Sequence, residues 1–453
     1  MVTAHSTANG RAWLAILAAG GILLNISAAN AAGLFVDGAD ARSMALGGEE
    51  AAQTGSAIAA MDSNPAALTG IARTELEITG GGTFLRGEFA RDDGEVANLR
   101  TNAAFIPAAG FAMQVWHDIP IAVGVGVIPE IMSDAYWRYR DALGGLGGMT
   151  TYGEQKNRSR ILALRTSFGV AVEPVQWLSL GASVGFTYNQ NALYAPYIFQ
   201  SQPVLAGFKT LLDLNTEGVA PCFDFGAQIR PTSKITLGAS YRPRVVIHSD
   251  GTASGNASAQ LKALGPPFSL VNPNFTYDAE VRTELPQIAS FGAEFQALDR
   301  LRLVAGVDWI NWADAFDELN IHLSNGSNPA INGVVGSDSM TDIAPLRWRD
   351  QWVYRTGAEY EIGGGFTARS GYTYARSAVP PQTMTPLTAA IFDHKVSAGV
   401  GYKKGRYHAD LVWQWSLPAK QHVGHSALLD GEYSHTSVLV TAHSFELTTG
   451  VEF

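Results

Sequence analysis

One cysteine, Cys222, is present in the whole sequence, so neither an internal disulfide nor a thiol pair for a metal or redox centre is available. A small buried side chain is the reading it supports. Charge is also scarce: 16% of residues are Asp, Glu, Lys or Arg, against about 25% in ordinary soluble domains. The balance is acidic, with a net charge of −10, which argues against a nucleic-acid partner. Beyond residue 31 no apolar run approaches the ~18 residues of a membrane helix. Linkers are missing too, although 453 residues would ordinarily divide into about three soluble domains. There is no H-E-x-x-H and no P-loop, and no motif that would bind a cofactor or couple energy.

What the sequence does have is alternation. Leu178, Leu180, Ala182, Val184, Phe186 and Tyr188 alternate with Ser179, Gly181, Ser183, Gly185, Thr187 and Asn189. The same period of two runs through Ile235–Arg242, Phe366–Tyr374 and Ser444–Phe453. One face is apolar and the other small or polar, rich in Gly, Ser and Thr and poor in Lys, unlike a surface built for water. Strand lengths near the 9–11 residues of a tilted membrane strand place lipid on the apolar side. The last strand ends on an aromatic, Phe453, as many outer-membrane barrels do.

The connections alternate in length. Short turns fall at 117–120, 173–175, 230–233, 297–299, 363–365 and 403–405; long polar or Gly-rich stretches fall near 88–100, 131–157, 191–219, 250–275, 322–349, 377–391 and 417–440. Six short turns interleaved with seven long loops predict an all-β fold, a 14-stranded antiparallel transmembrane β-barrel with both barrel ends on the periplasmic side. Such a lumen is too wide for its own side chains to fill. The small-residue-rich segment 32–73, including Ser63-Asn64-Pro65-Ala66-Ala67-Leu68, is the natural plug ahead of a first strand at about Thr74–Leu85. The domains are therefore read as 1–31 signal peptide, 32–73 plug and 74–453 barrel. Arg11, the apolar run Trp13–Ile26 and Ala29-Asn30-Ala31 supply the three regions of a secretory signal.

These residues resemble the FadL/TodX family of outer-membrane transporters for long-chain fatty acids and hydrocarbons. The likeness rests on Ala32-Gly33-Leu34-Phe35, Ser63-Asn64-Pro65-Ala66, Glu284-Leu285-Pro286 with Ser290-Phe291-Gly292, Trp309-Ile310-Asn311-Trp312 with Phe316, Trp348–Tyr360 and Gly371–Pro380. It implies a barrel plugged by an N-terminal hatch, capture of ligand in an outer apolar groove, and exit through a gap in the wall at the third strand, with Asn64, Pro65 and Ala66 gating it. It also implies a passive outer-membrane transporter of hydrophobic molecules, in contact with outer-membrane lipid and lipopolysaccharide and expected to be a monomer. An outer-membrane enzyme acting on lipid, with a Ser/His pair on the wall, and a structural barrel without substrate are the alternatives.

Individual residues sharpen this. Pro129 lies inside the third strand; proline cannot donate to a ladder, so it marks a bulge, a gap or the strand end. Val204, Leu205, Phe208, Leu211 and Leu212 recur at helical spacing and predict an amphipathic helix. That stripe is a candidate for the capture groove, or packs on Met132, Tyr136, Trp137 and Tyr139 of the neighbouring loop. Where the resemblance implies basic residues for a fatty-acid carboxylate, this sequence has Ala195 and Asn320, which leaves room for a neutral hydrocarbon, terpenoid or aromatic. Arg242, Arg355 and Arg369 could substitute if they face the lumen, or belong to its polar network. His422-x-x-His425, near His435 and His443, is read as a solvated loop rather than a metal site.

Overall fold

The structure, a computed structural model, describes residues 34–101, 103–116 and 119–453; the signal-peptide expectation for 1–31 lies outside the described residues. Fourteen antiparallel strands close into a barrel. They are β1 (Glu75–Arg91), β2 (Ala103–Trp116), β3 (Ile121–Arg140), β4 (Glu154–Val175), β5 (Leu178–Ile198) and β6 (Lys209–Thr232). Next come four interrupted strands: β7 (Ile235–Arg242 and Val245–Asn256), β8 (Asn274–Leu285 and Ile288–Leu298), β9 (Leu301–Ile310 and Glu318–Ser324) and β10 (Met340–Pro345 and Gln351–Gly363). The circuit ends with β11 (Phe366–Ala375), β12 (His394–Lys404), β13 (Tyr407–Val423) and β14 (Thr436–Glu452). Pairing of β14 with β1 from Glu75↔Glu452 to Arg91↔Thr436 closes the wall and leaves no edge.

The barrel is inside-out relative to a soluble protein. On β5, Leu180, Val184 and Phe186 are exposed while Ser179, Ser183 and Thr187 are buried. Aromatic side chains gather at the short-turn end, with Trp116, Trp177, Phe366 and Tyr407 all exposed, as a membrane-interface girdle requires. The short turns fall where the sequence places them. Two of the long loops are largely strand: β3 and β4 stay paired out to Arg140↔Glu154, and β5 and β6 to Ile198↔Lys209, whereas the connection at 377–391 lies between strands as the sequence places it. Strands thus reach 24 residues, as in β6, rather than the predicted 9–11. Beyond the lipid a paired strand needs no apolar face, so its alternation fades while its hydrogen bonds continue.

The predicted helix over 204–212 is also absent. Residues 203–207 form turns, and Leu211 and Leu212 lie on β6. Gly207 takes a left-handed φ of 82°, which interrupts any helix, and the β5 ladder then supplies the backbone partners instead.

Inside the barrel run two short helices, α1 (Ala41–Ala45) and α2 (Ala57–Asp62), followed by a 3₁₀ turn at Pro65–Gly70. Almost every residue from Leu34 to Thr69 is buried. The segment can pass this close to the wall because inward-facing wall positions are glycine. A Cβ at Gly181 would strike the Pro65–Ala66 backbone, one at Gly226 the Asn64 side chain, and one at Gly238 the carbonyl of Ala51.

Candidate functional site

The wall is not uniformly bonded. β2 and β3 pair from Gln114↔Ala122 to Ala109↔Val127 and then separate. β2 continues along β1 to Phe84↔Ala103, and β3 continues along β4. The β2-facing edge of β3 above Val127 is met instead by the leading segment. The Val36 N–H donates to the Glu130 carbonyl at 3.0 Å, and Phe35 forms an isolated antiparallel bridge with Ile131. Higher up, the Arg100 N–H donates to the Tyr136 carbonyl at 2.7 Å.

A bulge at the same height explains the parting. On the β4 side, Pro129 pairs with Leu164 and Ile131 with Ala163, leaving Glu130 as the extra residue. The bulge shifts the side-chain phase. Below it Ala122, Gly124, Gly126 and Ile128 are buried in alternation; around it burial is continuous from Ile128 to Met132, and toward the strand's outer end the alternation resumes on Trp137 and Tyr139.

Glu130 is tied into a buried ionic cluster. Its Oε1 lies 3.0 Å from Arg242 and 3.4 Å from Arg165, and its Oε2 accepts from Thr187 at 3.2 Å. Arg165 also reaches Asp62 of the leading segment at 2.7 Å and Asp224 at 2.5 Å; Arg242 binds Asp224 at 2.7 Å. The bulge, four other wall strands (β4, β5, β6 and β7) and the leading segment therefore share one network. A second network ties the segment to the far wall: Arg355 to Asp37 at 3.2 Å and Asp308 at 2.8 Å, Lys395 to Asp37, and Arg42 to Glu359 at 3.1 Å.

Above these networks lies an apolar cavity of about 210 Å³ at the outer mouth, lined by Leu34, Ile161, Leu193, Ala195, Leu214, Phe316, Trp348 and Leu387 among others. A smaller cavity of about 60 Å³ adjoins it toward β1 and the free edge of β3, lined by Leu34, Leu85, Leu99, Ser133, Ala135 and Trp137. The two share Leu34, Ser133, Leu387 and Thr388. A third, of about 80 Å³, lies lower and is polar, with Glu49, Glu50, Asp62, Glu130, Arg242 and Arg355 around it.

The sequence pattern of the outer membrane transport protein family (OMPP1/FadL/TodX) matches residues 22–409. The chain belongs to this family. Among solved structures, a FadL homologue of Pseudomonas aeruginosa superposes with a TM-score of 0.74 at 15% identity, covering 93% of this chain and 100% of that one. The toluene transporter TodX of P. putida gives 0.71 at 19% identity over 92% and 99% of the two chains. The toluene transporter TbuX of Ralstonia pickettii gives 0.69 at 19% over the same shares. At these identities the likeness is one of fold. Comparison with curated proteins returns no match.

In this FadL/TodX-family barrel the residues singled out from sequence fall in three places. Asn64 is wholly buried; its Oδ1 accepts from the Ala66 N–H at 3.1 Å and its amide donates to the carbonyls of Ala51 at 2.6 Å and Ala227 at 3.1 Å. Pro65 and Ala66 press on Gly181. The triplet therefore sits on β5 and β6, whereas Met61 and Leu68 sit on Gly124 and Gly126 of β3 and Gly169 of β4, at the foot of the parting. Pro129 is in mid-strand, two residues above the last β2–β3 pair. Its neighbour Glu130 reaches Asp62 of the leading segment through Arg165 and Arg242.

Leu205 and Leu212 are buried in an outer cluster with Phe199, Leu261 and Phe275, and Phe208 packs against it. Trp137 walls the smaller cavity and donates from Nε1 to the Pro386 carbonyl at 3.0 Å. None of the six proposed groove residues lines the larger cavity. Its lining was missed because it is assembled from many distant segments of the outer end. Arg242, Arg355 and Arg369 all face inward, each engaged by two or more carboxylates. His443 packs between Trp413 and Trp415, apart from the edge-to-face pair His425 and His435. Cys222 is a buried thiol in the wall.

Proposed function

We propose that this outer-membrane transport protein takes up small neutral hydrophobic molecules, capturing them in the outer cavity and releasing them sideways between β2 and β3. The observation that carries this is the continuity of apolar space from the outer mouth, past Leu34, to the stretch of β3 that has left β2. Straight passage is opposed by the ion-paired segment below. The sideways path ends at lipid, where an apolar solute is stable and a polar one is not. The segment Leu34–Thr69 acts as the plug, and movement of Phe35 and Val36 away from β3 opens the path.

Neutral ligands are favoured because the arginines at the cavity are already engaged: Arg160 with Asp134 at 3.0 Å and Arg282 with Glu284 at 2.7 Å. Ala195, in the lining, adds no charge. Apolar cavities of about 150 Å³ hold benzene, so the larger cavity has room for a single substituted ring. Burying roughly 150–250 Å² of such a ring yields about 4–6 kcal/mol, a Kd between about 30 μM and 1 mM. Binding this weak lets the solute leave again. The toluene-transporting structural neighbours support the same class. The protein works as a monomer, takes solute delivered through lipopolysaccharide, and needs no cofactor.

The test is binding to the purified protein in detergent, with toluene, a long alkane and oleate each competing for a hydrophobic fluorescent probe. Toluene is expected to displace it at tens to hundreds of micromolar, equally at pH 6 and pH 8. Displacement by oleate alone would contradict the neutral-ligand reading.

A further inference from the structure

At the short-turn end of the closing seam, β1, β13 and β14 bring together Glu75, Glu77, His408 and Glu452. Glu75 stands directly opposite Glu452, and Glu77 and His408 both stand opposite Gly450. Gly450 is required here, since a Cβ on it would run into the imidazole. Across that gap His408 Nε2 meets Glu77 Oε1 at 3.1 Å, while Nδ1 turns toward Glu75 Oε1 at 3.9 Å. A ring nitrogen of His408, a Glu75 oxygen and a Glu452 oxygen all lie within 4.8 Å of one another.

Two features of this cluster are unexplained by protein contacts alone. Carboxylates directly opposed on neighbouring strands repel, and among the described residues the ion pair of Lys403 is with Glu452. Glu75 is 4% exposed, and its Oε2 has no hydrogen-bond partner among the described residues. A buried acceptor without a donor calls for a cation or a water.

We infer that Glu75, His408 and Glu452 form a binding site for a divalent cation of the zinc type, with Glu77 positioning the imidazole. An imidazole nitrogen with two carboxylates is a donor set for zinc or a late first-row metal; calcium and magnesium prefer oxygen alone. Metal-bound histidines donate their other ring N–H to a carboxylate, which fixes the tautomer. Glu77 stands at that place, leaving the Nδ1 lone pair free for the metal. Zinc–ligand bonds of about 2.0–2.2 Å require the three donors to draw together by about 1 Å, within reach of side-chain rotation. A water can complete the tetrahedron from the periplasmic mouth. The ion pins the first strand to the last two where the barrel closes.

The full-length protein, purified in detergent without a histidine tag and treated with chelator, is titrated with zinc chloride by calorimetry. One zinc per chain is expected. Binding should vanish in His408→Ala and Glu75→Gln, weaken about 10–100-fold in Glu77→Gln, and be unchanged in His425→Ala of the outer loops. X-ray absorption on the zinc-loaded wild type supplies a readout that needs no variant to fold: one imidazole nitrogen with oxygens at about 2.0–2.2 Å. No zinc binding by the wild type, binding indifferent to His408→Ala, or a shell with two or more imidazoles overturns the inference.

Discussion

The lower and upper halves of the lumen are built on opposite principles. Below, the leading segment meets the wall through buried charge: Asp62 with Arg165 and Arg242, Asp37 with Arg355 and Lys395, Arg42 with Glu359. Above, the lining of the outer cavity is mostly aliphatic and aromatic, and its two arginines are each paired with a carboxylate, Arg160 with Asp134 and Arg282 with Glu284. Buried ion pairs add little net stability over apolar packing but punish the loss of either partner. They are therefore a poor glue and a strong register, holding a small-residue segment that could not define its own place. The apolar half has no such register, which suits the guest proposed for it. The parting of β2 from β3 lies where the two halves meet, and Glu130 belongs to both: its carbonyl holds Val36 and its carboxylate holds the arginines.

The contrast can be broken most severely from below. Arg165→Ala leaves Glu130, Asp62 and Asp224 to share Arg242. The cost should be about 3–5 kcal/mol, read as a lowered urea midpoint in detergent, together with new conductance in planar bilayers as the plug loosens. Unchanged conductance and midpoint would show that the network is decorative. From above, Ala195→Trp fills the outer cavity. Toluene uptake should fall about tenfold or more while the barrel loses no more than about 1–3 kcal/mol, the usual cost of overpacking. Retained uptake would place the binding space elsewhere.

The smallest effect belongs to the outer loops, where buried Lys209 serves both Asp141 at 2.7 Å and Glu432 at 3.0 Å. Burial beside Asp141 pushes the Glu432 carboxyl up to about 8. A folded-state pKa above the unfolded value of about 4.3 gives stability that is complete below that value and is lost as pH rises through 8. Proteolysis of the 425–435 loop should therefore quicken between pH 6 and pH 9, and Glu432→Gln should flatten the profile. Slower cleavage at pH 9 would reverse the sign.

Much of the lower barrel is legible in the sequence, because a lipid-facing strand must alternate and a short turn must carry Pro, Gly or Asp. Ser179, Ser183 and Thr187 facing in, with Leu180, Val184 and Phe186 facing out, follow from period two alone. The outer strands are not legible, since beyond lipid nothing enforces the alternation. Pro129 is conspicuous as a residue without a donor, yet the parting itself depends on which way β2 turns, which no local pattern records. The ionic register is hidden for the same reason: Asp62 and Arg165 are 103 residues apart and meet only once the wall has closed. Leu205 and Leu212 do share one apolar cluster, but on a turn and a strand instead of one helix face.

The central claim is that Phe35 and Val36 stopper the wall where β3 has left β2. Phe35→Cys with Ile131→Cys, in a Cys222→Ser background, joins two residues that already form a β-bridge, at a separation a disulfide can span. Uptake of labelled toluene by cells carrying the oxidised protein should be lost, and a reductant should restore it. Uptake at the wild-type rate with the disulfide intact would contradict the account.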